Sequence, residues 1–508
     1  MGKFKKILSV AAACSMFGAS LLTFAGCSEQ EDVITLRVCN WEEYIDLGGW
    51  NEEERISLDS GDIFGENAVY DDFTEWFNDG DFGFKVKVEY STFGTNEDLY
   101  NRLSLGDVYD LVCPSDYMIM KLIAENKVEE YSEDFMTNGE YANNVSPYID
   151  SIFKENDWDK YAACYMWGTT GIVYNPDKIE NVADVSSWNI LLNENYKRQV
   201  TIKDNVRDAY FAALGILNSD RLTAPQYDRS DLSDLMNGTD SETIAKAENI
   251  LKKIKDNVYS FETDSGKADM VTGKVIANYQ WSGDAITILD GADADGTKLW
   301  YSVPDECANL WFDGWVMLKS GIDGNEKKRA AAEAFVNFLS RPDNAIRNMY
   351  YIGYTSAIAG ETVFEYLDWN YGADEDVETI DYDVNYFFKK DGQDGKFIIC
   401  ADANDFEIDE ETGEITGNRG RQLFAQYPPE SVKDRSVVMR DFEDKLTEIN
   451  QMWINVRCLD VKDISPTTIG IICGAVGLIA IASVLYGFRY RLFIKNKPKK
   501  GFEKTEEE

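Results

Sequence analysis

The sequence predicts an α/β protein, and three observations carry that prediction. Strand-like and helix-like segments alternate along the middle of the chain, which implies a sheet covered on both faces. The alternation runs through two successive blocks. Of 508 residues, 44% are hydrophobic and 13% aromatic, enough for a sizeable core and too much for global disorder.

In the first block, residues 34–39 (Ile-Thr-Leu-Arg-Val-Cys) read as a strand entering the core. Residues 84–90 alternate polar and apolar, the period of a second strand. Asn96–Leu105 reads as an amphipathic helix. Residues 110–113 form a short buried strand stopped by Pro114 and Ser115, and 118–126 a helix. Ligands of such sheets sit beyond the carboxyl ends of strands, which places residues 40–44 and 115–117 at one rim.

The second block opens with residues 170–174 as a strand ending at Asn175 and Pro176. Residues 198–202 are another, feeding Asp204-Asn-Val-Arg-Asp208 and a helix to Leu217. Residues 241–258 read as a helix capped by Ser241 ahead of Glu242. Residues 274–278 lead to Gln280-Trp-Ser-Gly-Asp284, and 310–318 are aromatic and extended. A strong helix spans 327–339, ended by Ser340-Arg-Pro342. Residues 51–78 and 361–422 are acidic, rich in Gly and Asp and weakly periodic, and read as insertions.

The two ends lie outside this fold. Residues 1–26 carry Lys3, Lys5 and Lys6, then an apolar run, and stop at Cys27, as a secretory signal does. The ending resembles a bacterial lipobox, which implies a lipid on Cys27, although Phe24 stands where Leu is usual. Residues 467–488 hold no charge and are long enough to span a bilayer. Arg489, Arg491, Lys495, Lys497, Lys499 and Lys500 come next, so the tail 489–508 is expected in the cytoplasm.

Composition excludes several function classes. There is no histidine, which removes Ser-His-Asp catalysis, histidine metal sites and histidine pH switches. A formal charge of −41 repels phosphate backbones and excludes nucleic acid as a partner. Cys39, Cys113, Cys164, Cys307, Cys400 and Cys458 show no metal-ligand spacing and read mostly as buried free thiols. No metal or cofactor is expected.

Four aromatic–carboxylate groupings fall at strand ends: Trp41 with Glu43 and Tyr44, Asp116 with Tyr117, Trp281 with Asp284, and Trp311 with Asp313. A carboxylate flanked by π faces suits an alkylammonium ion. A cation–π contact is worth about 0.5–2 kcal/mol, and a hydrogen bond to a charged group about 1.5–3 kcal/mol. The same residue types also bind sugars.

The order of short motifs resembles the substrate-binding proteins of bacterial spermidine/putrescine ABC importers. They are Asn40-Trp-Glu-Glu-Tyr44, Tyr90-Ser-Thr92, Asn96-Glu97, Pro114-Ser-Asp-Tyr117 and Tyr165-Met-Trp-Gly168, then Ser187-Trp188, Tyr196-Lys197 and Asp204–Asp208. Trp281-Ser-Gly-Asp284, Trp311-Phe-Asp313, Phe338–Asp343 and Ile352-Gly-Tyr354 complete the series. The resemblance covers roughly residues 34–455 and implies a non-enzymatic receptor. It implies two discontinuous lobes around a cleft, of the type II periplasmic-binding-protein kind: 28–166 with 310–355, and 167–309 with 356–458.

Carried over, Trp41, Tyr44, Ser115, Tyr117 and Tyr354 would line the cleft, with Glu43 near an amine. Trp281 and Trp311 would sandwich the ligand, and Asp313 would anchor an ammonium. Asn205 and Asp208 stand where the family usually has two acids, and Asp284 resembles an acid of putrescine-type members. The expected partners are a polyamine, an ABC permease and the membrane. Rival readings are another small solute (an amino acid, a sugar or ferric ion, with Tyr350-Tyr351 the adjacent tyrosine pair) or a glycosidase using Asp284 and Asp313.

Overall fold

The computed structural model describes residues 32–458, except 391, 410, 411, 414, 420 and 421. The signal, Cys27, the apolar run 467–488 and the basic tail lie outside the described residues. Among those described, no helix is long and apolar enough to cross a membrane. The chain divides into two units, one ending at Asn450 and one beginning at Gln451. The described part of the second is the end of the helix Leu446–Arg457, followed by Cys458. Every other described element belongs to the first.

Leu36 and Val38 are fully buried on the strand Val33–Trp41. Lys85–Phe93 and Leu111–Val112 pair with it in parallel on either side. Next to Leu111–Val112 runs the antiparallel strand Ala308–Met317, and next to that Ala162–Tyr174. The latter two are buried along their whole length, which their near-continuous apolar sequence requires.

Ala162–Tyr174 serves two neighbourhoods in succession. Residues 162–169 pair with Ala308–Met317. Residues 170–174 pair with Ala277–Trp281, which lies parallel to Val200–Lys203, itself parallel to Ser260–Glu262. On its other edge, residues 172–174 pair with Trp300–Ser302. Among the described residues this makes one sheet of thirteen strands, in two halves joined through this strand.

The helices match the sequence pattern closely in the body. Asn96–Leu105 is a helix with those limits, started by Thr95, whose hydroxyl accepts the Asp98 N–H, and stopped by Gly106 at φ 104°. The helix expected at 327–339 is Glu326–Leu339, capped by Asn325. That expected at 241–258 is Ser241–Asn257, but its cap is Asp240, whose carboxylate accepts from Glu242 and Thr243. The helix expected from 118 begins at Asp116. The run 274–278 leads into the strand Ala277–Trp281, which starts late because the Asp269 carbonyl claims the N–H groups of Lys274 and Val275.

The supposed insertions are built into the fold. Within 51–78 lie a hairpin, Ile56–Leu58 with Gly61–Ile63, and most of the helix Val69–Asp79. Phe73 and Phe77 of that helix are fully buried. Arg347 ties it down through Asp46 and Asp72. Within 361–422 the helix Glu361–Tyr371 and the hairpin Thr379–Asp383 with Ile398–Asp402 carry a ring cluster. There Phe387 stacks on Trp167 at 5.4 Å and meets Tyr427 at 5.1 Å. Ile415–Asn418 then extends the main sheet beside Trp300–Ser302. Cys39, Cys113, Cys164 and Cys307 are buried free thiols, Cys400 is an exposed free thiol, and Cys458 is exposed.

Candidate functional site

In each half of this sheet the parallel strands end, and helices begin, toward the junction at residues 169–170 of the shared strand, so the two sets of carboxyl ends face each other. Trp41, Lys203, Glu262 and Trp281 are each the last residue of a strand. Ser115, Asn205 and Trp281 are each the residue before a helix. Asp208 and Asp284 sit in the first turns of the helices that begin there, where the helix dipole favours a negative charge.

Asp313 lies where the pairing of the two long strands slips by one residue, between Asp313 and Gly314. Such a bulge re-aims a side chain. One carboxylate oxygen accepts the Tyr44 hydroxyl at 2.7 Å, and the other accepts the Ser115 hydroxyl at 2.6 Å. Burial pushes its pKa up to about 6, against the pull of the Ser115 and Tyr44 hydrogen bonds. Among the described residues no lysine or arginine pairs with it.

Asn96 fixes the Ser115 side of this arrangement. Its amide donates to the Ser115 hydroxyl at 3.1 Å and to the Tyr117 hydroxyl at 2.8 Å, while its oxygen accepts the Ser115 N–H. Asp116 faces the protein interior and accepts the N–H groups of Tyr117 and Phe312. Burial raises its pKa to about 8.

Tyr44 links the first group to a second. Its ring meets that of Tyr354 edge-on at 5.0 Å, and Tyr354 meets Trp311 at 5.6 Å. The Tyr354 hydroxyl donates to Asp284 at 3.0 Å. Tyr354 packs so tightly on Gly283 that a Cβ there would enter its ring, which explains the glycine between Ser282 and Asp284. Trp311 is anchored by its Nε1 donating to the Thr169 carbonyl at 3.2 Å.

Trp281 links a third group. Its Nε1 donates to Asp208 at 3.4 Å, and the Lys203 ammonium lies 4.1 Å over its ring. Asp208 is buried, and this raises its pKa to about 6 although Lys203 and the Trp281 hydrogen bond favour its charge. No ion pair holds it among the described residues. Lys203 reaches Glu262 at 3.7 Å and Asp284 at 3.6 Å. Lys267 reaches Asp284 at 3.3 Å. The halves meet where Arg207 lies 3.7 Å over the Tyr117 ring, while donating to Asp441 at 2.9 Å.

The structure thus brings Tyr44, Ser115, Tyr117, Asp208, Trp281, Asp284, Trp311, Asp313 and Tyr354 into one contiguous set of contacts. The other expected residues stand differently. Asn205 uses its side-chain oxygen as the helix cap, accepting from Arg207 and Asp208. Trp41 packs on Phe93 at 4.7 Å, and its buried Nε1 has no hydrogen-bond partner among the described residues. Glu43 is exposed, at φ 54°. Sequence reasoning missed Lys203, Lys267, Arg207 and Glu262. The one available signal was a lysine at a strand's carboxyl end, directly before the Asp204–Asp208 motif.

Residues 68–362 match a family described as bacterial extracellular solute-binding protein. The spermidine/putrescine-binding periplasmic protein of Escherichia coli K12 is 30% identical over 271 residues, 53% of this chain and 70% of that protein. The putrescine-binding periplasmic protein PotF of the same organism is 26% identical over 285 residues, 54% of this chain and 71% of that protein. Two solved structures align over 83% of this chain and 98% of theirs. They are the spermidine/putrescine substrate-binding protein PotD of Streptococcus pneumoniae (TM-score 0.53, 23% identity) and a putative spermidine/putrescine transporter protein of Listeria monocytogenes (TM-score 0.55, 21% identity). At those identities the structural likeness bears on the fold alone.

Proposed function

Because this chain belongs to the bacterial extracellular solute-binding protein family, we propose that it binds a polyamine outside the cytoplasm and hands it to an ABC importer. It is a transport receptor and not an enzyme. The observation that carries the reading is Asp313: a buried carboxylate held by two neutral hydroxyls, beside aromatic rings. A buried carboxylate without a cation is costly. An alkylammonium ligand removes that cost, while Tyr44, Tyr354 and Trp311 offer apolar faces to its methylene chain.

The two halves of the sheet act as lobes. Ligand touching both stabilises the closed arrangement, which is how a ligand shifts such an equilibrium. The receptor is tethered by a lipid on Cys27 and by the apolar run 467–488, with the basic tail in the cytoplasm. A tether raises the effective concentration at a permease. Two anchors are redundant for holding alone, so the C-terminal run packs beside the permease. Deleting 467–488 from the lipidated protein should reduce uptake, and unchanged uptake would refute that role.

Calorimetry on the purified full-length protein tests the binding reading. Putrescine, spermidine and spermine are titrated, with arginine and a neutral sugar as controls. Saturable heat from a polyamine alone is expected. Heat from arginine or sugar, with none from any polyamine, overturns it.

A further inference from the structure

Lys203 is the last residue of the strand Val200–Lys203. Its side chain has no solvent exposure. The ammonium lies 4.1 Å over the Trp281 ring, faces Glu262 and Asp284 at 3.7 and 3.6 Å, and donates to the Thr263 carbonyl at 2.8 Å. An aromatic face, two carboxylates and a carbonyl are what a cleft offers a ligand's ammonium. Here the chain fills that seat with its own.

A second lysine acts on the same acid. Lys267 reaches Asp284 at 3.3 Å from a side chain that is 32% exposed. Burial works against its charge, but Asp284, Asp264 and Glu43 outweigh it and push its pKa up. Asp284 also accepts the Tyr354 hydroxyl. All of its attraction is therefore committed within the protein.

Asp208 and Asp313 differ from Asp284 in this respect. Both are buried, 4% and 6% exposed, and neither has an ion pair among the described residues. Arg207 is held by Asp441 and by the Arg440 carbonyl. Glu97 and Glu43 are exposed, where water screens them. Asp116, also buried, is taken up by the N–H groups of Tyr117 and Phe312, which leaves Asp208 and Asp313 for ligand.

We infer that Lys203 is a built-in ammonium occupying one cation seat of the cleft, reinforced by Lys267, so that the receptor selects a diamine over a longer triamine. This rests on the polyamine reading above. A triamine's third ammonium meets an occupied seat and is desolvated without a partner. A diamine's two ammonium groups would then pair with Asp208 and Asp313, which are buried and have no ion pair among the described residues. Lys203 thus sets specificity by excluding a competitor as much as by contacting the ligand.

The test is calorimetry with putrescine and spermidine on the full-length protein, the Lys203→Met variant and the Lys267→Met variant. Wild type should favour putrescine by about tenfold or more. Lys203→Met should gain spermidine affinity and shift the ratio by about tenfold towards the triamine. Glu262 keeps two other donors, Gly266 N–H and Asn278, and Asp284 keeps Lys267 and Tyr354, which supports the fold. If Lys203→Met does not fold, Lys267→Met carries the test, with a shift of about threefold in the same direction. A wild-type preference for spermidine overturns the inference. So does an equal loss of both affinities in the variants, which a merely structural lysine would give, or an unchanged ratio. Absence of binding by any polyamine to wild type overturns the polyamine reading itself, and this inference with it.

Discussion

Replacing Asp313 by Asn should stabilise the ligand-free protein at neutral pH and lose that advantage in acid. Burial raises the Asp313 pKa from 3.8 to about 6. A carboxyl whose folded pKa is raised binds its proton more tightly when folded. The stability from that proton is complete below about pH 4 and is lost as pH rises through about 6. The full penalty for the ionised form at pH 7.5 is about 3 kcal/mol, at 1.36 kcal/mol per pKa unit. About 2 kcal/mol of it has been regained by pH 4.5.

The asparagine of the Asp313→Asn variant has no charge to bury. Its amide can donate to Ser115, whose hydroxyl already accepts from Asn96 and has a second lone pair. The change in hydrogen bonding adds an offset common to all pH values. The stability difference, variant minus wild type, should therefore fall by about 2 kcal/mol between pH 7.5 and 4.5, whatever the offset. Taking the difference also cancels the relief of charge repulsion that acid gives both chains at a net charge of −41. Urea unfolding followed by tryptophan fluorescence at the two pH values measures it. A difference that stays constant with pH, or grows in acid, would refute the placement of Asp313 as a buried carboxylate without a cation.

Other consequences arise from the same contacts. Tyr44→Phe removes one of two hydroxyl donors to Asp313, so the acid limb of polyamine binding should move to higher pH, read as the midpoint of affinity against pH. Asn205→Ala removes a helix cap and should cost about 1 kcal/mol of stability, while polyamine affinity changes less than about threefold. A large affinity loss with unchanged stability would show that Asn205 serves ligand instead. Gly283→Ala drives a methyl into the Tyr354 ring and should destabilise by about 1–3 kcal/mol, seen as a lowered urea midpoint.

Regular elements were legible wherever local pattern and burial agree. Asn96–Leu105 has a Thr cap, an apolar stripe and a terminal Gly, and its limits come from those alone. The stretch 361–422 was not legible because its burial is non-local: Phe387 is apolar core only because Trp167 and Tyr427 meet it. Composition there is acidic on the outside, and the periodicity of short strands and single turns is too brief to register.

The candidate site divides the same way. Tyr44, Ser115, Trp281, Asp284, Trp311 and Asp313 were legible from motif order, and they converge because most stand at a strand end, a helix start or a bulge. Asn205 looked like a lost ligand charge, whereas its geometry is that of a cap. Lys203 was missed because a lysine after an apolar strand reads as a solvated end. Only the fold brings Trp281, Glu262 and Asp284 around it. The glycosidase reading loses ground for the same reason, since two lysines and a tyrosine already hold Asp284.

The most direct measurement is polyamine binding by Asp313→Asn at pH 7.5, beside wild type and after urea unfolding has shown the variant folded. Wild type should bind a polyamine saturably. The variant should lose at least about 30-fold in affinity, the lower end of what removing one partner of a buried charge pair costs. A folded variant that binds as tightly as wild type would contradict the role of Asp313 as the ammonium anchor.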